Sequence, residues 1–211
     1  MAYDLEEQEQ IAVIKDWWRK YGNLLTTALL AVLVGIAGMQ AWRYYRAQQS
    51  TAAASLYAQL DTADQSNEPK KVQDIATTIA GTHGATAYAA MAQLRAAKSL
   101  AVGNDLAGAK QRLQWVIEHA KEDEMRDVAR LRLAGVLLDE KNPDEALKLA
   151  ETKHAAAFDG IYADLKGDIF SAQNKRAEAR AAYQAALEKI DPRSTYRQLI
   201  QVKLDAVGDV R

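Results

Sequence analysis

The chain contains no cysteine. That excludes disulfide-stapled scaffolds, thiolate nucleophiles and cysteine-based zinc sites. Proline (3) and glycine (11) are scarce among 211 residues, which argues against collagen-like or long disordered stretches. Aromatic residues make up only 7%, although 49% of residues are hydrophobic. Alanine, the best helix former, supplies much of that difference. No window alternates apolar and polar residues as a half-buried strand does. An excess of one charge is missing too. Lys+Arg (27) against Asp+Glu (28) leave a net −1, so there is no electrostatic footprint for nucleic acid. Composition therefore points to an all-α chain.

Signatures of chemistry are also lacking. The three histidines, His83, His119 and His154, have no HxxxH or HExxH spacing and fall near expected helix ends. No GxSxG elbow occurs, and neither GxxxxGK nor GxGxxG is present. The basic clusters, Lys70-Lys71 and Lys110 with Arg112, have acids nearby and read as solvated helix faces. The expectation is a non-enzymatic protein without metal or cofactor.

What is present begins with an acidic leader, MAYDLEEQEQ, and an amphipathic stretch from Ile11 to Lys20. An uncharged run follows, from Tyr21 to Trp42. As a helix, its most apolar part, Leu24 to Trp42, is about 28 Å long, close to the ~30 Å hydrocarbon core of a bilayer. Eight Leu, Ile and Val residues lie inside it. Together they favour insertion by about 2–5 kcal/mol, against modest costs for Thr26, Thr27 and Gln40. Trp17, Trp18 and Tyr21 lie at one end, and Trp42, Tyr44 and Tyr45 at the other, as an aromatic belt at each interface requires. A buried helix of a soluble protein is rarely apolar on all sides for this length. A cleaved signal peptide fits poorly, because the leader is acidic and the run is followed by Arg43-Tyr-Tyr-Arg46. The reading is an uncleaved signal anchor. Lys15, Arg19 and Lys20 precede it, and only Arg43 and Arg46 follow before Lys70. This bias favours a cytoplasmic N-terminus and an exported body. Thr27, Ala31, Gly35 and Gly38 fall on one face of the span. Such small residues either mark a helix-packing stripe or reflect their abundance in spans.

The body repeats. Three segments each show an apolar helix, an Asn-centred turn and a second helix. The turns are Val102-Gly-Asn-Asp105, Glu140-Lys-Asn-Pro143 and Ala172-Gln-Asn-Lys175. Ala109, Ala146 and Ala179 are 37 and 33 residues apart, near the ~34-residue tetratricopeptide period. Ala97, Ala134 and Gly167 take the small position of each first helix, where a second helix must come close. Leu100, Leu137 and Phe170 take the bulky first-helix position, and Leu113, Ala150 and Tyr183 its second-helix counterpart. Trp115 reads as a core residue between helices. The expected organisation is a cytoplasmic tail (1–23), a transmembrane helix (24–42) and a periplasmic tetratricopeptide-repeat-like α-solenoid (43–211). The solenoid comprises an irregular first pair (46–82), repeats at about 90–123, 127–157 and 160–193, and a capping helix (194–206) opened by Ser194. Gly81 to Gly84 is expected to end the second helix of the first pair.

The order of segments resembles the YfgM family of bacterial inner-membrane proteins over essentially the whole chain. The residues carrying the resemblance are Ile11-Ala-Val-Ile-Lys-Asp-Trp-Trp18, Gly38-Met-Gln-Ala-Trp-Arg-Tyr-Tyr45, Tyr88-Ala-Ala-Met-Ala-Gln-Leu94, Ala163-Asp-Leu-Lys-Gly-Asp168 and Ala179-Arg-Ala-Ala-Tyr183. The resemblance implies an ancillary subunit of the SecYEG translocon. It also implies a membrane-anchored periplasmic chaperone of PpiD type as partner. A membrane-anchored scaffold of an envelope or division assembly is the alternative. In a curved stack of helix pairs the first helices line the concave face. The candidate partner-binding positions there are Met91, Leu94, Lys98, Leu131, Leu138, Asp164 and Asp168. These leucines either offer an apolar strip to a partner or pack against neighbouring helices.

Overall fold

The computed structural model describes residues 3–208, with side chains from Gln10 onward. The remaining terminal residues and the side chains of the leader before Gln10, which carry its four acids, lie outside the described residues. Among the described residues nine α-helices follow one another: α1 (Tyr3–Gln65), α2 (Pro69–His83), α3 (Ala87–Val102), α4 (Leu106–His119), α5 (Asp123–Asp139), α6 (Pro143–Ala150), α7 (Asp159–Ala172), α8 (Arg176–Lys189) and α9 (Tyr196–Val207). A 3₁₀ turn, Ala156–Phe158, precedes α7. No strand occurs among the described residues. The chain divides into two units, Met1–Gln48 and Gln49–Arg211.

In the second unit the same turn joins α1 to α2, α3 to α4, α5 to α6 and α7 to α8. Asn67, Asn104, Lys141 and Asn174 adopt positive φ of 55°, 61°, 64° and 59°. Each donates its N–H to the carbonyl three residues back, and the next residue donates to the carbonyl five back. This is the Schellman arrangement, which satisfies the orphan carbonyls of a helix end. Asn tolerates the left-handed region well. The expectation of an Asn-centred turn therefore holds for Asn104 and Asn174 but shifts by one residue in the second repeat. There Lys141 carries the positive φ, and Asn142 is the N-cap before Pro143. Pro143 and Pro69 sit at the first helical positions, where a missing N–H costs nothing. Gly81 does not stop α2. A Cβ there would meet open space, and the helix continues to His83 before Gly84.

Small residues set how closely the helices approach. Ala109, Ala134, Ala146, Ala150 and Ala179 are fully buried, and Ala97 is 2% exposed. At Gly167 a Cβ would lie 2.3 Å from the Tyr183 ring, so α7 and α8 meet as glycine against tyrosine. Bulky Leu100, Leu113 and Leu137 fill the spaces between, and Trp115 is half-buried between two core clusters. The last turns of α1 join this core, with Leu60 packed among Val72, Ala76 and Ile79.

The open end is closed by α9. Ile200 and Leu204 pack on Ala179, Tyr183 and Ala186. Ser194 is not the N-cap but accepts a bond from the Tyr196 N–H (3.3 Å), and the cap position falls on Thr195. Lys203 donates to Asp164 (2.8 Å) and Asp168 (2.7 Å). Tyr196 donates to Asp164 (2.6 Å), and Tyr183 to Asp168 (2.8 Å). Burial pushes both phenols up, and their carboxylate acceptors push them further. Burial pulls the Lys203 ammonium down, but its bonds to Asp164 and Asp168 outweigh that, so the net shift is upward.

Two outcomes follow from this packing. Gly167→Ala is expected to cost about 1–3 kcal/mol by overpacking. A double-mutant cycle with Tyr183→Leu should recover part of that loss as coupling energy; additive effects would place the contact elsewhere. Lys203, Tyr183 and Tyr196 all hold protons more tightly when folded. Their contribution to stability is therefore complete below their ordinary values, about 10 to 10.4, and is lost as pH rises through the raised ones. Denaturant midpoints should fall as pH rises above about 10, with a shallower slope in Tyr196→Phe. Midpoints that stay flat to about pH 11 would rule this out.

Candidate partner-binding surfaces

The first unit presents an apolar helix whose described side chains are exposed. Leu24, Leu29, Leu30, Val32, Leu33, Val34 and Ile36 are all between 52% and 70% exposed, on every side of the helix. Its best window has a mean hydropathy of 2.0 and no buried residue. A surface of that kind is stable in hydrocarbon and not in water. Its few hydroxyls are satisfied internally: Thr26 donates to the carbonyl of Gly22 (2.9 Å), and Thr27 to that of Asn23 (2.7 Å). Trp17 packs against Trp18 and Tyr21 at one end, and Trp42 against Tyr45 at the other. Along the stripe of Thr27, Ala31, Gly35 and Gly38, a Cβ at either glycine would meet nothing within 4 Å. The backbone is bare there, which lets another helix come close.

In the second unit, α3, α5 and α7 stand side by side as the first helices of their pairs. The sequence-derived positions separate by depth. Leu94 is 6% exposed and belongs to the main core cluster. Asp164 is 2% exposed and is held by Tyr196 and Lys203. Asp168 is half-buried in the same clamp. These three are committed to internal contacts. Met91, Leu131 and Leu138 are half-buried, and Lys98 is exposed. Leu131 and Leu138 share one face of α5, seven residues apart, with part of each side chain in solvent.

Sequence reasoning passed over Arg132 on this same row. Its Nη1 donates to the Leu94 carbonyl across the α3–α5 contact (3.2 Å). Among the arginines of α3 and α5, Arg95 is paired with Asp61 and Asp64, Arg126 with Asp123, and Arg130 with Asp127. Arg132 has no carboxylate partner among the described residues. Nothing in the sequence distinguishes it from Arg130, because the distinction depends on tertiary neighbours.

The histidines lie in separate places. His83 bonds Gln49, His119 stacks on Trp115, and His154 stacks on Tyr162 with ring centroids 3.8 Å apart. No group of metal-ligating side chains occurs among the described residues.

A tetratricopeptide repeat-like domain profile matches residues 15–209. An ancillary SecYEG translocon subunit of Neisseria gonorrhoeae is 31% identical over 208 residues, covering 98% of this chain and all of that protein. Proteins of the same description from Haemophilus influenzae and Escherichia coli are 30% and 27% identical, over 88% and 94% of this chain and 91% and 95% of theirs. With a helical-repeat body, an apolar helix ahead of it and relatives matched along nearly their full length, the chain belongs to the family of ancillary SecYEG translocon subunits.

Proposed function

We propose that this chain is a single-pass inner-membrane scaffold of the translocon, not an enzyme. Its short N-terminal tail lies in the cytoplasm, the segment 24–42 spans the bilayer and the body from residue 43 onward lies in the periplasm. The observation that carries this reading is the fully exposed apolar helix with an aromatic group at each end. Lys15, Arg19 and Lys20 ahead of it, against Arg43 and Arg46 behind, support the orientation. A body without cysteine suits an oxidising compartment.

Two contacts serve the scaffold. The stripe of Thr27, Ala31, Gly35 and Gly38 packs against a helix of the translocon or its associated chaperone. The solvent-facing part of the first-helix row, Met91, Lys98, Leu131 and Leu138, takes a segment of a membrane-anchored chaperone of PpiD type. Leu94, Asp164 and Asp168 support that row from within. The scaffold thereby brings emerging chains to periplasmic chaperones.

Copurification after mild detergent extraction tests the function. SecYEG subunits and a membrane-anchored chaperone should be recovered, and recovery of envelope or division proteins instead would favour a structural anchor. Protease added to spheroplasts should digest the chain beyond Arg46, whereas a fully protected body would overturn the orientation. Leu131→Asp with Leu138→Asp should keep the helical circular dichroism and lose the chaperone.

A further inference from the structure

Arg132 lies on α5 between the half-buried Leu131 and Leu138 and is itself exposed. Its guanidinium carries five N–H donors, and among the described residues a single one is engaged, by the Leu94 carbonyl. That carbonyl already serves the helix ladder of α3, so the bond positions the head without neutralising it. Lys98 lies one turn beyond Leu94 on α3, is exposed, and has no ion pair among the described residues. Lys98 is thus a second cation on α3, four residues on from the carbonyl that holds Arg132. One turn beyond Arg132 on the same face of α5 is Gly135, where a Cβ would meet nothing within 4 Å. The helix backbone is bare at that point, which lets a ligand chain come close. Leu131 and Leu138 flank the spot with their half-buried side chains.

The surroundings leave this charge uncompensated. Desolvation by the neighbouring protein lowers the Arg132 pKa, and the like charge of Arg95 lowers it further. Arginine keeps its proton at neutral pH through any such shift. The result is a fixed, solvent-exposed cation with no carboxylate partner among the described residues. Such a group is stabilised by an incoming carboxylate, which the planar fork can hold with two bonds.

We propose that Arg132, with Lys98 and the bare backbone at Gly135, forms a subsite that reads an acidic side chain flanked by apolar residues on a partner protein's segment. The apolar flanks rest on Leu131 and Leu138. This inference deepens the scaffold reading and rests on the first-helix row being its partner surface.

The test uses the full chain in neutral detergent micelles and two fluorescein-labelled, C-terminally amidated peptides. One is Gly-Leu-Glu-Asp-Leu-Gly-Ser, and the other replaces its two acids by Gln and Asn. Fluorescence anisotropy should show the acidic peptide binding about tenfold tighter or more, the expected worth of a charge-assisted hydrogen bond. Arg132→Gln should abolish the difference. Gly135→Leu, whose Cβ would meet nothing within 4 Å, should block the acidic peptide with an unchanged or raised melting temperature. Equal binding of the two peptides to the parent protein would overturn the proposal, as would discrimination that survives in Arg132→Gln. Loss in Arg132→Gln of binding to phosphatidylglycerol vesicles, with peptide binding intact, would also overturn it, by assigning the cation to lipid. The same preparations are assayed for captured translocon subunits. Capture without peptide discrimination removes the subsite alone, and failure of capture removes the scaffold reading while leaving the peptide result to stand.

Discussion

Everything in the body depends on how close two helices can come. Alanine at Ala97, Ala109, Ala134, Ala146 and Ala179, and glycine at Gly167, let the backbones of successive helices approach near contact. Close approach has a cost in core composition. An alanine buries little apolar area, so each layer gains less from removing surface from water than a leucine-rich layer would. The compensation is dense contact along the whole crossing, where many weak dispersion terms add up. It also makes the crossings intolerant of added volume, most of all at Gly167, where the Tyr183 ring fills the space a side chain would need.

Thin layers place the burden of register on buried polar groups. Each of the three buried ones among the described residues ties a first helix to an element beyond its own. Gln93 on α3 donates to the Ala76 carbonyl of α2 (3.0 Å) and accepts from Arg112 of α4 (3.1 Å). Asp127 on α5 accepts from Arg130 (2.8 Å) and from the Ala155 N–H (3.0 Å), which fixes the loop before α7. Asp164 on α7 holds Tyr196 and Lys203 of α9. A slip of any unit would strand these groups without partners, and a buried unpaired polar group costs about 1–3 kcal/mol. Helices of nearly featureless alanine composition thus acquire one order and one alignment. The same logic ends the stack. Lys203 and the phenols of Tyr183 and Tyr196 converge on two carboxylates, Asp164 and Asp168, so α9 is attached by bonds that a translated helix could not make.

The parts legible in the sequence are those set by local chemistry. The membrane segment needed only its own length, polarity and flanking aromatics. The small positions were visible because alanine and glycine recur at the repeat period. Turn residues were legible only in part. Asn104 and Asn174 announce a left-handed residue, but Lys141 holds the same conformation through the same pair of backbone bonds, with no mark in its side chain. Depth on the first-helix row was not legible. Leu94 and Asp164 occupy matching repeat positions, yet the first is apolar core and the second an ionic anchor for α9. What covers each position comes from the next unit and not from its own helix. Arg132 escaped notice for that reason too, since being unpaired is a property of everything around it.

A row of half-buried leucines with one uncompensated arginine offers modest affinity in free solution. Few of its contacts would be fully excluded from water, and segments ordered on binding lose conformational entropy. Anchoring changes that balance. A body tied to the bilayer beside a partner tied to the same bilayer meets it at an effective concentration set by their tethers, in the millimolar range for short ones. Weak recognition is then enough to keep the site occupied while the contact still releases quickly, because release depends on the intrinsic off-rate and not on the tether. A scaffold working beside a translocon gains from this combination. On the proposed reading the uniformly apolar helix supplies proximity, and the first-helix row has only to choose among what proximity brings. Charge is an economical way to choose, since a neutral segment leaves Arg132 unsatisfied and an acidic one does not. Selectivity of this kind needs neither a deep pocket nor a catalytic group, only one cation that the fold declines to pair.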